Sequence, residues 1–118
     1  MASSKPYRDR VEVLAFDQDG RIFAGRFGDG SYGFIGGGTD GESATEAARR
    51  EFLEETGYTL TQAHMVNVPP IEVEWETAPK SDKMRRRMKK YRGTRTYFVY
   101  GEVDPAIKRT AVDDDAPM

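Results

Sequence analysis

Three glutamates, Glu51, Glu54 and Glu55, sit close together in the stretch ATEAARREFLEET. On a helix turning about 100° per residue they share one face. Carboxylates about 5 to 6 Å apart repel by roughly 3 kcal/mol per pair at an effective dielectric of about 20, and by far less in full solvent. A divalent cation removes that conflict. The chain has no cysteine and a lone histidine, His64, so the donors are oxygens and the ion they suit is hard, Mg²⁺ first and Mn²⁺ second. Such an ion neutralises a pyrophosphate and lowers the pKa of a bound water. The plain alternative is a solvated acidic face, whose like-charge pairs cost only about a few tenths of a kcal/mol. On the glutamates alone the two readings stand level.

The residues ahead of them tilt the balance toward a site. Gly36, Gly37 and Gly38 read as a glycine-rich turn that lets backbone approach a ligand closely, and Gly36 can lend a carbonyl to a metal. Ser43 followed by Glu46 is a capping box, and Gly57 is suited to a left-handed stop, so a helix is expected over Ala44 to Thr56. Ala44, Ala47 and Ala48 are assigned to the carboxylate face, leaving room above it, with Phe52 as core anchor and Leu53 pointing elsewhere. Two other glycine motifs fail. The spacing Gly36, Gly38, Gly41 lacks the strand and acid of a dinucleotide site, and no GK[ST] is present.

In this setting Gly36 to Tyr58 resembles the signature of the Nudix hydrolases, G-x5-E-x7-R-E-U-x-E-E-x-G-U with U bulky and apolar. Gly36, Glu42, Arg50, Glu51, Phe52, Glu54, Glu55, Gly57 and Tyr58 fill its positions. The resemblance implies an α/β/α sandwich with a mixed sheet, and hydrolysis of a nucleoside diphosphate linked to another group X. It implies that Glu51, Glu54 and Glu55 hold the metal, that Arg50 orients a neighbouring glutamate, and that Glu42 is a weaker contact. Glu54 is favoured as general base, with an acid among Asp113 to Asp115 as competitor. Two departures stand out. Ile35 replaces a frequent proline, and Met118 follows too soon on the strand Tyr97 to Val103 for the family's closing strand and helix. That C-terminal part is then missing or supplied by a partner subunit, as in a homodimer.

The elements that must position this stretch are short. VEVLAF from Val11 and RIFAGRF after it read as strands joined by a turn at Asp17 to Gly20, and a third strand covers Tyr32 to Ile35. Thr59 to Val68 is expected to be irregular becoming extended, IEVEWE to be a strand, and Tyr97 to Val103 another. One domain accounts for 118 residues, with residues 1–9 as a loose arm and 78–92 as a basic loop or short helix. No apolar run approaches the roughly 20 residues of a membrane span, and nothing resembles a secretory signal, so a soluble, cytoplasmic protein is expected.

Substrate choice is sought elsewhere. Eight of the 18 basic residues lie between Lys80 and Arg92; they grip substrate phosphates, bind RNA, or form a solvated face. Arg92, Lys90 and Trp75 are the substrate-contact candidates, Trp75 through stacking on a base. Tyr32, Phe34 and Tyr97 are further stacking candidates, and His64 is assigned no catalytic part. The resemblance points first to a small nucleotide, such as a (d)NTP or NDP derivative. A non-catalytic nucleotide- or RNA-binding module and an RNA 5′-end pyrophosphohydrolase are the alternatives.

Overall fold

The computed structural model describes residues 5–26, 28–76 and 78–104 of the 118-residue chain. Two long strands form its spine. β1 (Tyr7–Phe16) and β8 (Gly93–Val103) run parallel in unbroken register, from Tyr7 against Gly93 to Phe16 against Glu102. Parallel pairing requires a crossover, and the chain between the two strands supplies it, including the helices α1 (Ala44–Thr56) and α2 (Asp82–Lys90). β2 (Ile22–Phe23) and β5 (Ile35–Gly38) pair antiparallel with β1, while β6 (Leu60–Met65) and β7 (Ile71–Glu74) pair antiparallel with β8. The outcome is the expected α/β fold with a mixed sheet, six-stranded here, beside a small ribbon of β3 (Gly25–Arg26) and β4 (Tyr32–Gly33). Among the described residues no helix is long and apolar enough to cross a membrane.

Strand alternation gives the sheet one apolar face. Val11, Val13 and Ala15 of β1 and Val99 and Val103 of β8 meet Ala47, Ala48 and Phe52 of α1, with Ile35 and Leu60 closing the core. Each fully buried large apolar side chain contributes about 1.5 to 3 kcal/mol. Phe52 is the anchor expected of it, and the ring of Phe23 meets it edge-on at 5.8 Å.

α1 begins and ends where its caps predict. Ser43 Oγ accepts from the Glu46 N–H at 3.3 Å and donates to the Glu46 carboxylate at 2.8 Å, while Gly57, at φ 79°, turns its N–H back to the Leu53 carbonyl. The expected role of the alanines is corrected: Ala47 and Ala48 are fully buried in the core, where they pack against the sheet and not beneath a ligand. Leu53 is the partly exposed residue.

Other expectations need revision. The loose arm over residues 1–9 is overturned at its end, since Tyr7 already belongs to β1, where pairing with Gly93 to Arg95 holds Tyr7 to Asp9 without apolar alternation. The turn after β1 forms as expected: the Asp17 carboxylate accepts from the backbone N–H groups of Asp19 and Arg21, at 2.9 and 3.0 Å. The strand that follows it is interrupted after Phe23, and its second part joins the ribbon. Leu60 to Met65 is strand, with a shift of register against β8 between Leu60 and Gln62. Of the two options for 78–92, the helix is correct over Asp82 to Lys90, capped by Ser81 Oγ, which accepts from the Met84 N–H at 3.1 Å.

The glycine run differs most from its expected turn. Gly36, Gly37 and Gly38 are strand residues of β5, paired with Glu12, Val11 and Arg10. A Cβ on Gly36 would collide with the Val11 carbonyl oxygen, and one on Gly37 with the Glu51 carboxylate. The first collision is with backbone and cannot be relieved by a rotamer. Gly36→Ala is therefore expected to destabilise the protein by about 1 to 3 kcal/mol, read as a lower midpoint of urea unfolding; an unchanged midpoint contradicts this packing.

Candidate active site

Arg50 is the hub of the site. From the exposed side of α1 its guanidinium donates to five acceptors: Glu42 at 2.6 Å, Glu51 at 2.9 Å, the Gly38 carbonyl at 3.0 Å, Glu54 at 3.4 Å and Asp40 at 3.5 Å. A planar fork is the side chain that can satisfy several acceptors at fixed angles. The bond to Glu42, followed by that to Glu51, raises the guanidinium pKa further above its already high value. Asp40, at φ 50°, and Gly41, at φ 85°, turn the chain from β5 into α1 and so carry Asp40 to Arg50.

The three glutamates are unequal. Glu51 is largely buried and lies across Gly37, where the missing side chain leaves space for its carboxylate. Desolvation raises its pKa, against the opposing pull of Arg50. Glu54 is half exposed and, among the described residues, held only by its long contact to Arg50. Glu55 receives the backbone N–H of Gly36, yet its Oε2 is buried with no hydrogen-bond partner among the described residues. Burial first, and then the charge of Glu51, push its pKa up to about 7. A buried, unpaired carboxylate oxygen costs more than a solvated one, so its presence beside two other carboxylates is a second observation in favour of a cation.

The donor chemistry fits a hard divalent ion: oxygens alone, one of them orphaned, with a glycine strand bringing backbone alongside. As positioned, no three acidic or imidazole side chains among the described residues converge closely enough to hold one. Arg50 stands between Glu42, Glu51 and Glu54 and holds them by their oxygens.

The remaining candidates are dispersed. Arg92 pairs with Glu74 at 3.6 Å and lies over the Tyr7 ring at 4.8 Å, and Lys90 lies over Tyr91 at 5.6 Å. Trp75 lines a cavity of about 240 Å³ with Pro79, Lys80, Met84 and Met88, so it faces α2 and no carboxylate of the site lines its pocket. Tyr32 and Phe34 are exposed, Tyr97 packs against the core, and His64 stacks on Tyr100 at 5.3 Å. Asp113 to Asp115 lie outside the described residues.

Sequence reasoning passed over Arg8, Arg10 and Glu12, which alternate along β1 beside the glycine strand. Arg10 donates to Glu12 at 3.1 Å, and its charge favours the ionised form of Glu55. Their i, i+2 spacing was the available signal, hidden by starting the strand at Val11.

The NUDIX domain model matches residues 6–115. A protein of Dinoroseobacter shibae named RNA pyrophosphohydrolase is 35% identical over 78 residues, 63% of this chain and 49% of that protein. One of the same name from Cereibacter sphaeroides is 35% identical over 102 residues, 80% of this chain and 61% of that protein. The chain thus spans about half to three fifths of the length of these curated relatives. Among solved structures, the MutT protein from Methanosarcina mazei Go1 superposes with a TM-score of 0.55 at 17% identity, over 99% of this chain and 76% of that one. At that identity the likeness concerns the fold.

Proposed function

The chain belongs to the NUDIX family, and on that premise we propose that it hydrolyses the pyrophosphate bond of a nucleoside diphosphate linked to another group, with a divalent cation. The observation that carries this reading is the glutamate cluster of α1 set against the glycine strand, with the Glu55 Oε2 buried and unpartnered. Glu51, Glu54 and Glu55 would hold Mg²⁺ or Mn²⁺, with the Gly36 carbonyl and Glu42 as further contacts. When bound, the ion supplies charge neutralisation at the phosphoryl oxygens.

The protein's own groups do the rest. Water adds to one phosphorus, the bridging P–O bond breaks, and the displaced phosphate leaves with the bond's electron pair. The water's proton passes to Glu54, whose half-exposed carboxylate and long contact to Arg50 leave it free to turn. Arg50 fixes Glu51 and Glu42, so these two carboxylates keep their orientation while Glu54 takes the proton. Glu54→Gln is expected to lower kcat by about 10² to 10⁴-fold with the fold intact. The check is phosphate and pyrophosphate release in Mg²⁺ and Mn²⁺, beside circular dichroism; unchanged turnover sinks this assignment.

Of the substrate classes, the 5′ end of RNA is favoured. The relatives named RNA pyrophosphohydrolase support it, as does α2, whose sequence DKMRRRMKK holds a single acid among its basic residues. A small nucleotide is the second reading, favoured by the pocket at Trp75, which has room for one ring system. A panel of nucleotides and a 5′-triphosphorylated RNA, read by product identity, separates the two. Salt-dependent binding without turnover on any member would instead identify a non-catalytic module.

A further inference from the structure

Asp9 Oδ1 is buried, yet among the described residues it has no hydrogen-bond partner. Arg95 Nη1 stands 3.7 Å from it, too far to donate, and the Arg95 guanidinium gives its short bonds to Glu72 at 2.8 Å. A buried acceptor left without a donor is costly, and folded proteins keep few of them without a reason.

The reason lies next to it. Asp9 lines a cavity of about 320 Å³ together with Thr39, Glu42, Ala44, Met65 and Tyr97, a volume at the lower end of small-ligand sites. Local folding builds its wall. The Thr39 N–H donates to the Asp9 carbonyl at 3.1 Å and the Glu42 N–H to the Thr39 carbonyl at 2.9 Å, so the turn from β5 into α1 is tied across the start of β1. Opposite, β8 contributes Tyr97, which packs against the core, and β6 contributes Met65 at its end. Glu42 belongs both to this cavity and to the Arg50 hub, which donates to it at 2.6 Å. The cavity therefore adjoins the carboxylate site.

Its lining selects a ligand. Asp9 and Glu42 repel phosphate, so the anionic part of a substrate stays outside. No lining side chain is a cation or an amide, and the side-chain donors are hydroxyls. A nucleobase, whose ring nitrogens and carbonyl oxygens need donors, is poorly served there. A sugar is well served: its hydroxyls bring donors for carboxylate oxygens, they accept from Thr39, and its carbon face rests on Tyr97.

We propose that this cavity holds the ribose of the nucleotide bearing the cleaved anhydride, with Asp9 accepting from its 2′-hydroxyl. Asp9 then tells a ribonucleotide from a deoxyribonucleotide, since the 2′-hydroxyl is what separates RNA from DNA at a given site. The 2′ position is assigned because the 3′ oxygen of an RNA nucleotide is esterified and has no proton to give. The identity of this ligand rests on the hydrolase reading and narrows it to ribose-bearing substrates.

The test titrates the full chain calorimetrically in EDTA with a short 5′-triphosphorylated RNA whose first nucleotide carries ribose, 2′-deoxyribose or 2′-O-methylribose. The two altered forms are expected to bind about tenfold or more weakly than the ribose form. Asp9→Ala lowers the affinity for the ribose form to that of the deoxy form and leaves the deoxy form where it was; a merely structural Asp9 lowers both alike. Asp9→Asn keeps the shape and an oxygen acceptor without the charge, so it falls between the two and covers the case in which alanine disturbs β1. Equal affinity of the wild type for the ribose and deoxyribose forms, parallel losses in the Asp9 variants, or no binding of any form overturns the proposal. Hydrolysis of both sugar forms in Mg²⁺ at equal kcat/KM also overturns it and leaves the hydrolase reading standing. Ribose-selective binding without hydrolysis of any RNA or nucleotide sinks that reading and leaves the sugar site standing.

Discussion

Glu55→Gln is expected to make the metal-free protein more stable at about pH 8 while removing the proposed hydrolysis. The Glu55 carboxyl titrates near 7 in the folded chain against an ordinary value of 4.5, chiefly because it is buried. For an acid with a raised folded pKa, both states are protonated below the lower value and the site is neutral toward stability. Between the two values the unfolded chain ionises first, so stability falls as pH rises. Above the higher value the full penalty persists. A shift of this size corresponds to about 3 kcal/mol, and solvent screening of a partly exposed carboxylate reduces it to about 1 to 2 kcal/mol. Glutamine removes the charge and keeps an acceptor for the Gly36 N–H. In EDTA the variant should melt several degrees above wild type at about pH 8, at about 4 to 8 °C per kcal/mol for a domain of this size. The gap should close at about pH 4. A variant that melts no higher at alkaline pH would show that the orphaned oxygen carries no penalty.

Arg50→Met is expected to have the opposite sign and a larger span. It strips a shared donor from Glu42, Glu51, Glu54, Asp40 and the Gly38 carbonyl at once. Removing one partner of a fully buried ion pair costs about 3 to 5 kcal/mol; with Arg50 partly exposed, about 2 to 3 kcal/mol is the corresponding loss. Arg50→Lys should recover little, because one ammonium cannot reach acceptors spread around a fork. Under the proposed function, Mg²⁺ should raise the melting temperature of Arg50→Met more than that of wild type, since the freed carboxylates repel one another until a cation enters. An equal response to Mg²⁺ in the two proteins would separate Arg50 from the metal-binding carboxylates.

How much of this was readable from sequence depends on whether the cause was local. α1 could be bounded to the residue because its determinants, Ser43 with Glu46 and then Gly57, lie within the helix or next to it. The glutamates and Arg50 were legible for the same reason. Arg8 and Arg10 were not, because Tyr7 to Arg10 are held as strand by Gly93 to Thr96, and no alternation of apolar residues marks them. The glycine run was taken for a turn because glycine disfavours strands; close approach by the Val11 carbonyl and the Glu51 carboxylate outweighs that preference. Ala47 and Ala48 show the limit of helical periodicity, which groups small residues by angle without saying which flank meets the sheet. The Trp75 pocket depends on α2 folding against the end of β7, a contact that no short-range pattern encodes.

Under the proposed function, the pairing of β5 with β1 also makes catalysis a gauge of correct assembly. Gly37 lies beneath Glu51 only because Val11 stands opposite it. A slip of one residue would put Gly36 or Gly38 opposite Val11 and turn Ile35 from the core to the other face of the strand. Such a misfolded chain could keep its helices and much of its circular dichroism, yet its carboxylates would no longer meet backbone shaped to receive them. Specific activity per mole of soluble protein therefore measures strand register more sharply than any bulk spectroscopic signal, and refolding yields for this chain are best reported in that unit.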